Sequence, residues 1–185
     1  MKGNTDVRLH ELIRFPHPVN EVAARVVAAG VVVLAVTTIL TRRPWLLLLL
    51  AYGFVARSIG GPTFSPLGQL ATRVITPRLP VAPKPVAGPP KRFAQALGAV
   101  VTLTATVLAF VFGRTTAAYR LVGLIAVFAT LESAFGFCVG CKLFGALMRV
   151  GLIPEKVCAE CANIWERAPV GDLPQQPDTD GLRLA

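Results

Sequence analysis

The chain has 185 residues, a net charge of +9 and a hydrophobic content of 54%. Its mean hydropathy of +0.60 is too apolar for a water-soluble domain of this length, so the composition predicts a membrane protein. The 19 lysines and arginines lie mostly between apolar segments and form no stripe with interleaved aromatic residues. Nucleic acid is therefore not expected as a partner, whereas the lipid bilayer is.

Apolar segments of near-membrane length predict an all-α integral membrane protein with four transmembrane helices inside a membrane domain at residues 20–150. Asn20 is the predicted N-cap of the first helix, and Pro44 suits the first position of the second, which is short for a span. Residues 1–19 precede them as an N-terminal segment. The predicted spans are about 20–41, 44–59, 93–112 and 120–141.

Two segments connect the second and third predicted spans. Residues 66–76 place their apolar side chains on one face of a helix, which predicts an interfacial helix. The proline-rich residues 77–92 predict an extended linker. Four basic side chains here are expected to contact anionic headgroups at the membrane surface: Arg73, Arg78, Lys91 and Arg92.

The basic residues also predict the orientation of the helices. The loops on one side hold Arg42, Arg43, Arg114 and Arg120, while the remaining lysines and arginines fall in or beside the opposite regions. Because cytoplasmic loops carry the excess of positive charge, both termini are expected in the cytoplasm.

All four cysteines occur in two Cys-x-x-Cys pairs, Cys138/Cys141 and Cys158/Cys161. The fourth helix is predicted to continue past the membrane face to Val150, and Gly151 begins a break before a return helix at residues 151–168. This cytoplasmic helical hairpin would bring the four sulfur atoms together. Residues 169–185 are polar and rich in proline, and we expect them to form a disordered tail.

The four-cysteine site has two leading interpretations. In the first, Cys138 and Cys141 are a reactive pair for thiol redox chemistry or sulfur transfer, and Cys158 and Cys161 are resolving thiols. In the second, all four cysteines bind structural zinc, the candidate cofactor, in a scaffold without catalysis, because the spacing fits a zinc site and the cytoplasm is reducing. The third interpretation is that the four cysteines do not form a common site.

Glu132 is the other unusual residue, since an acidic side chain inside a span costs several kcal/mol unless it is paired, hydrated or protonated. Arg57, at the cytoplasmic end of the second helix, is its predicted partner in a buried polar pair. The pair is either structural or part of a proton or anion pathway, and the latter would make the protein a small-anion transporter.

Four blocks of this sequence resemble a family of small bacterial membrane proteins catalogued as domain of unknown function 4395. The blocks are "FPHPVNEVAARVVA", "ARSIGGPTFSPLGQL", "GPPKRFAQALG" and "LESAFGFCVGCKLFGALMRVGLIPEKVCAEC". The residues that match the family's elements are Arg57, Gly61-Pro62, Ser65-Pro66, Glu132, Cys138 and Cys141. Members are often encoded near thiosulfate sulfurtransferases and thioredoxin-like proteins. The resemblance therefore implies a multi-pass protein of the bacterial inner membrane and a soluble partner of one of those two kinds.

The predicted orientation is tested by labelling cysteines from one side of the membrane. We expect a membrane-impermeant maleimide to leave Cys138 and Cys158 unmodified in intact cells and to modify them in inverted vesicles, as followed by peptide mass spectrometry. An Arg114→Cys variant would carry its new thiol in a predicted outer loop and should be labelled in intact cells. Labelling of Cys138 or Cys158 from outside would contradict the assigned orientation.

Overall fold

The computed structural model describes residues 19–82 and 84–152, and nearly all of its regular structure is helical. The helices are α1 (Glu21–Thr41), α2 (Trp45–Gly60), α3 (Pro66–Gln69), α4 (Gly88–Phe110), α5 (Thr115–Phe135) and α6 (Val139–Arg149). A 3-10 turn at Gly61–Thr63 precedes α3, and a π-helical stretch at Leu70–Ile75 and a 3-10 turn at Thr76–Arg78 follow it. Two short strands, β1 (Val19–Asn20) and β2 (Pro85–Val86), pair in antiparallel fashion. The N-terminal segment before Val19, the return helix, the tail and the pair Cys158/Cys161 lie outside the described residues.

Four helical stretches are long and apolar enough to cross a membrane, which confirms an all-helical protein with four candidate spans. They are Glu21–Thr41, Trp45–Arg78, Gly88–Phe110 and Thr115–Phe135. Large apolar side chains on these helices point away from the bundle and are exposed, among them Val33, Leu48, Val100 and Val127. Such a surface is suited to contact with lipid chains.

The helices pack in pairs, with α1 along α5, α2 along α4, and α4 against α5. One continuous core holds them together, made of buried side chains from all four long helices: Val31, Ala35, Leu47, Leu50, Phe54, Ala99, Ala105, Ala118, Val122, Ile125 and Ala129. Many of these residues are small, which lets the helix backbones approach one another closely.

Two helix boundaries differ from the prediction and move residues of the site. Helix α4 begins at Gly88, five residues before the predicted start at residue 93, because Pro89 and Pro90 fit its first turn. Helix α5 ends at Phe135, because Gly136 adopts a left-handed conformation with φ of 67° and its N–H donates to the carbonyl of Glu132 at 3.0 Å. The predicted span to residue 141 is therefore wrong at its end.

Helix α6 is thus a separate element and not the continuation of the fourth span. Cys138 is its N-cap residue, with extended backbone, and the helix then packs against the first half of α4. The rings of Phe93 and Phe144 lie 5.5 Å apart, and Gly140 contacts Ala94. These contacts hold the Cys138/Cys141 pair beside the start of α4.

The close approach of α6 to α4 predicts a contrast between two glycines of the same helix. A Cβ atom at position 140 would lie 2.7 Å from the Ala94 Cα atom, whereas at position 145 it would meet nothing within 4 Å. We expect Gly140→Ala to destabilise the protein by about 1–3 kcal/mol through overpacking, as measured by thermal unfolding in detergent. Gly145→Ala is the matched control and should leave the melting temperature unchanged or slightly raised. Equal melting temperatures for both variants would contradict this packing.

Candidate functional site

The first Cys-x-x-Cys pair lies at the start of α6, and both of its thiols are free. Cys138 is buried, with 8% of its surface exposed, and Cys141 is half-buried. The thiol of Cys141 donates a hydrogen bond to the sulfur of Cys138. Because residues i and i+3 share a face of a helix, the first turn of α6 presents the two sulfurs as one dithiol.

A buried ion pair lies next to this dithiol. The Lys91 ammonium, from the first turn of α4, donates to the carboxylate of Glu132, from the last turn of α5. Lys91 was predicted to lie at the membrane surface, but its exposed fraction is only 8%. The earlier start of α4 is the reason, since it places Lys91 on a helix face turned toward α5 instead of in a linker.

The pKa values of the two thiols depend on the hydrogen bond between them and on the buried charges. The hydrogen bond from Cys141 has the largest effect on the pKa of the Cys138 thiol and lowers it, and the nearby Lys91 ammonium lowers it further. Burial and Glu132 act in the opposite direction, but the pKa of Cys138 stays below its usual value. The same hydrogen bond and burial raise the pKa of Cys141. Cys138 is therefore the thiol that ionises first, and Cys141 keeps its proton.

Arg57, the predicted partner of Glu132, makes its direct hydrogen bonds elsewhere. Its guanidinium is 5% exposed and donates from Nε to Gln95 Oε1 at 2.9 Å and from Nη1 to Ser65 Oγ at 3.2 Å. It also stacks over the ring of Phe54 at 4.8 Å. Arg57 thus ties the end of α2 to α4 and to the segment before α3, and it stays close enough to Glu132 to interact electrostatically with it.

The residues that match the family's Gly-Pro and Ser-Pro elements lie in this same corner. Ser65 caps α3 by accepting from the backbone N–H of Gly68 at 3.2 Å, and Pro66 occupies the first helical position. A side chain at position 68 would lie 2.8 Å from the Pro62 Cα atom. This corner is therefore a tightly packed connection between α2 and α3.

Two side chains of α1 hold the α5–α6 corner in place. Arg25 donates from Nε to the carbonyl of Ser133 at 3.1 Å and from Nη2 to that of Ala134 at 2.8 Å. Glu21 pairs with Lys84 at 2.9 Å, and its carboxylate lies against Gly136. The position of Cys138 thus depends on contacts from α1 as well as from α4.

Three of the basic residues predicted at the membrane surface are exposed. Arg73 has an exposed side chain, Arg78 donates from Nη1 to the carbonyl of Val74 at 3.1 Å, and Arg92 donates from Nε to that of Ser58 at 3.0 Å. Their contact with lipid headgroups stays a prediction.

Two cavities meet at Cys138. An open cleft of about 630 Å³ exposes Cys138, Cys141 and Lys91 to solvent. A smaller cavity of about 90 Å³ lies among the long helices, and Glu132 and Cys138 are among its lining residues. Arg57 lines neither of these two cavities. The Lys91–Glu132 pair and Cys138 therefore separate the cleft from the interior of the bundle.

The predicted zinc site draws half of its ligands from Cys158 and Cys161, which lie outside the described residues. Within residues 19–82 and 84–152, no group of three or more potential metal-binding side chains occurs. The zinc interpretation stays a prediction.

The family model described as "Domain of unknown function (DUF4395)" matches residues 19–149 of the chain. This match covers more than half of the chain and includes α1 to α6, so the chain belongs to this family. The resemblance predicted from the sequence blocks is confirmed. No curated protein and no solved structure matches the chain.

The geometry predicts opposite effects for the two members of the buried ion pair. Removing the positive charge with Lys91→Met should slow alkylation of Cys138 by iodoacetamide at neutral pH by about tenfold, because a nearby opposite charge shifts a pKa by one unit or more. Glu132→Gln removes the opposing negative charge and should lower the pKa of Cys138 further. The measurement is the pH dependence of alkylation at Cys138, followed by peptide mass spectrometry.

Arg92→Met is the matched control, since it removes a positive charge one position away from Lys91 but on an exposed side chain. It should leave the pH profile unchanged. If Lys91→Met and Glu132→Gln shift the apparent pKa of Cys138 in the same direction, the ion pair acts through packing and not through its charges.

Proposed function

We propose that this protein is a thiol–disulfide oxidoreductase of the bacterial inner membrane, whose Cys138–Cys141 dithiol exchanges electrons with a soluble thioredoxin-like or sulfurtransferase partner at the cytoplasmic face. The observation that carries this proposal is that two free thiols share one face of the first turn of α6 and line one cleft. The pKa directions agree with this arrangement, since the pKa of Cys138 is lowered and that of Cys141 is raised. A nucleophilic thiolate next to a protonated second thiol is what two-step disulfide exchange requires.

The exchange proceeds in two displacements. The Cys138 thiolate attacks one sulfur of a partner disulfide, so that a mixed disulfide forms and the first partner sulfur leaves as a thiolate, which takes a proton from water. Cys141 then releases its proton to the cleft and attacks the Cys138 sulfur. The Cys138–Cys141 disulfide forms and the second partner thiolate leaves and is protonated. Two electrons have passed from this chain to the partner, and the reverse direction follows the same steps.

Sulfur transfer is the related alternative at the same thiols. The Cys138 thiolate would accept the outer sulfur of a partner persulfide and release the partner thiolate. The adjacent Cys141 argues against a long-lived persulfide, because its thiol lies one helical turn from Cys138 and can attack the Cys138 sulfur, expel hydrogen sulfide and close the disulfide. The contacts therefore favour electron exchange.

The proposal is tested by trapping the mixed disulfide with a thioredoxin variant that keeps only its attacking cysteine, activated as a disulfide with thionitrobenzoate, so that thionitrobenzoate leaves when Cys138 attacks. In a chain carrying Cys158→Ser and Cys161→Ser, we expect the further change Cys141→Ser to accumulate a covalent complex on non-reducing gels, because the resolving thiol is missing. The matched variant Cys138→Ser should give none, since it lacks the attacking thiol.

Two results would contradict the proposal. The first is a complex that forms through Cys141 in the Cys138→Ser variant but not through Cys138. The second is one tightly bound zinc per chain, with all thiols unreactive, in the unsubstituted protein purified without added metal. That second result would support the zinc-clamped scaffold.

A further inference from the structure

The cleft in front of the dithiol has the size of a small-molecule site. Its volume of about 630 Å³ falls within the range of roughly 300–1,000 Å³ that ligand pockets occupy. Cys138 and Cys141 form part of its lining. The segment around β2 lines one side, α6 lines another, and the corner between α5 and α6 adds Phe135 and Phe137. A low-molecular-weight disulfide fits a space of this size.

The charges that line the cleft are mainly positive. Among the described residues they belong to Lys84, Lys91, Lys142 and a single acid, Glu21. Lys84 pairs with Glu21, but the two groups are not equally accessible: the side chain of Lys84 is 67% exposed and that of Glu21 is 16% exposed. The charge that an approaching molecule meets on this side of the cleft is therefore the ammonium group.

Lys142 supplies the second accessible positive charge. It follows Cys141 directly in α6, and its Nζ atom lies 5.8 Å from the centroid of the Phe137 ring. Within the part of the chain that the structure describes, Lys142 has no ion pair. Lys91 is neutralised by Glu132, so Lys84 and Lys142 are the groups available to an anion.

We infer that the cleft binds small disulfides that carry carboxylate groups, with Lys142 and Lys84 pairing with the carboxylates and Cys138 attacking the disulfide bond. This inference rests on the proposed function of the same two thiols and adds a class of substrate. The exposed rings of Phe135 and Phe137 contact the apolar stems of such a molecule. The reaction is the exchange described above, with the small disulfide as the oxidant: it is reduced to two thiols as the Cys138–Cys141 disulfide forms.

The test compares three disulfides with similar short stems and different charge. They are dithiodipropionate, which is doubly anionic, hydroxyethyl disulfide, which is neutral, and cystamine, which is doubly cationic. Each rate of Cys138 oxidation is divided by the rate at which the same disulfide oxidises an uncharged free thiol. This ratio removes differences in intrinsic reactivity among the three disulfides. Measurements in an uncharged detergent remove anionic lipid headgroups from the surroundings.

We expect the normalised rate to be about tenfold higher for dithiodipropionate than for cystamine at low salt, and the ratio to shrink toward one in about 0.5 M NaCl, where exposed charges are screened. Lys142→Gln should remove most of the preference. The matched control is Arg149→Gln, because Arg149 is an exposed cation of the same helix that does not line the cleft.

The test distinguishes failure of the substrate class from failure of the proposed function. The anionic substrate class is overturned if the three normalised rates are equal or if Lys142→Gln leaves the preference unchanged. In that case, normal oxidation of Cys138 by hydroxyethyl disulfide would still support the dithiol chemistry. If Cys138 reacts with none of the three reagents, both the substrate class and the proposed oxidoreductase function fail.

Discussion

The ion pair between Lys91 and Glu132 is the interaction on which the site depends. It joins the first turn of α4 to the last turn of α5, and both side chains are largely removed from water. Breaking such a pair by removing one partner typically costs about 3–5 kcal/mol, because the other charge is left buried and unpaired. A lysine near a helix N-terminus is also unfavourable for the helix dipole. The chain retains this costly buried pair next to the cavity that Glu132 and Cys138 both line.

Much of the architecture could be predicted from the sequence, because apolar segments of membrane length are a strong signal. The predicted N-cap role of Asn20 follows from side-chain chemistry and agrees with the structure, where its side chain accepts from the Val22 N–H. The end of α5 was missed for a physical reason. Phe137 and Cys138 extend the apolar run beyond Gly136, so hydropathy alone favours a continued helix, and only the left-handed glycine ends it.

The candidate site was only partly predictable for the same reason. Cys138 and Cys141 were identified from their spacing, but a helix continued through them turns Glu132 away from both sulfurs. With a corner at Gly136, Glu132 and Cys138 line the same cavity. Lys91 was assigned to the linker because the prolines before it were interpreted as extended chain. Pro89 in the first turn of a helix is the signal that could have identified Lys91 as an inward-facing residue.

The hydrogen bonds of Arg25 affect the electrostatics of the sulfur as well as the position of the corner. A helix carries partial negative charge at its C-terminus and partial positive charge at its N-terminus. Cys138 follows the C-terminus of α5 by three residues and immediately precedes the N-terminus of α6, so two helix ends of opposite polarity lie near one thiol. The Arg25 guanidinium covers the carbonyls of Ser133 and Ala134, and thereby offsets the negative end. A residue of α1 therefore places a positive charge at the negative end of the helix that precedes Cys138, while Cys138 itself lies at the positive end of α6.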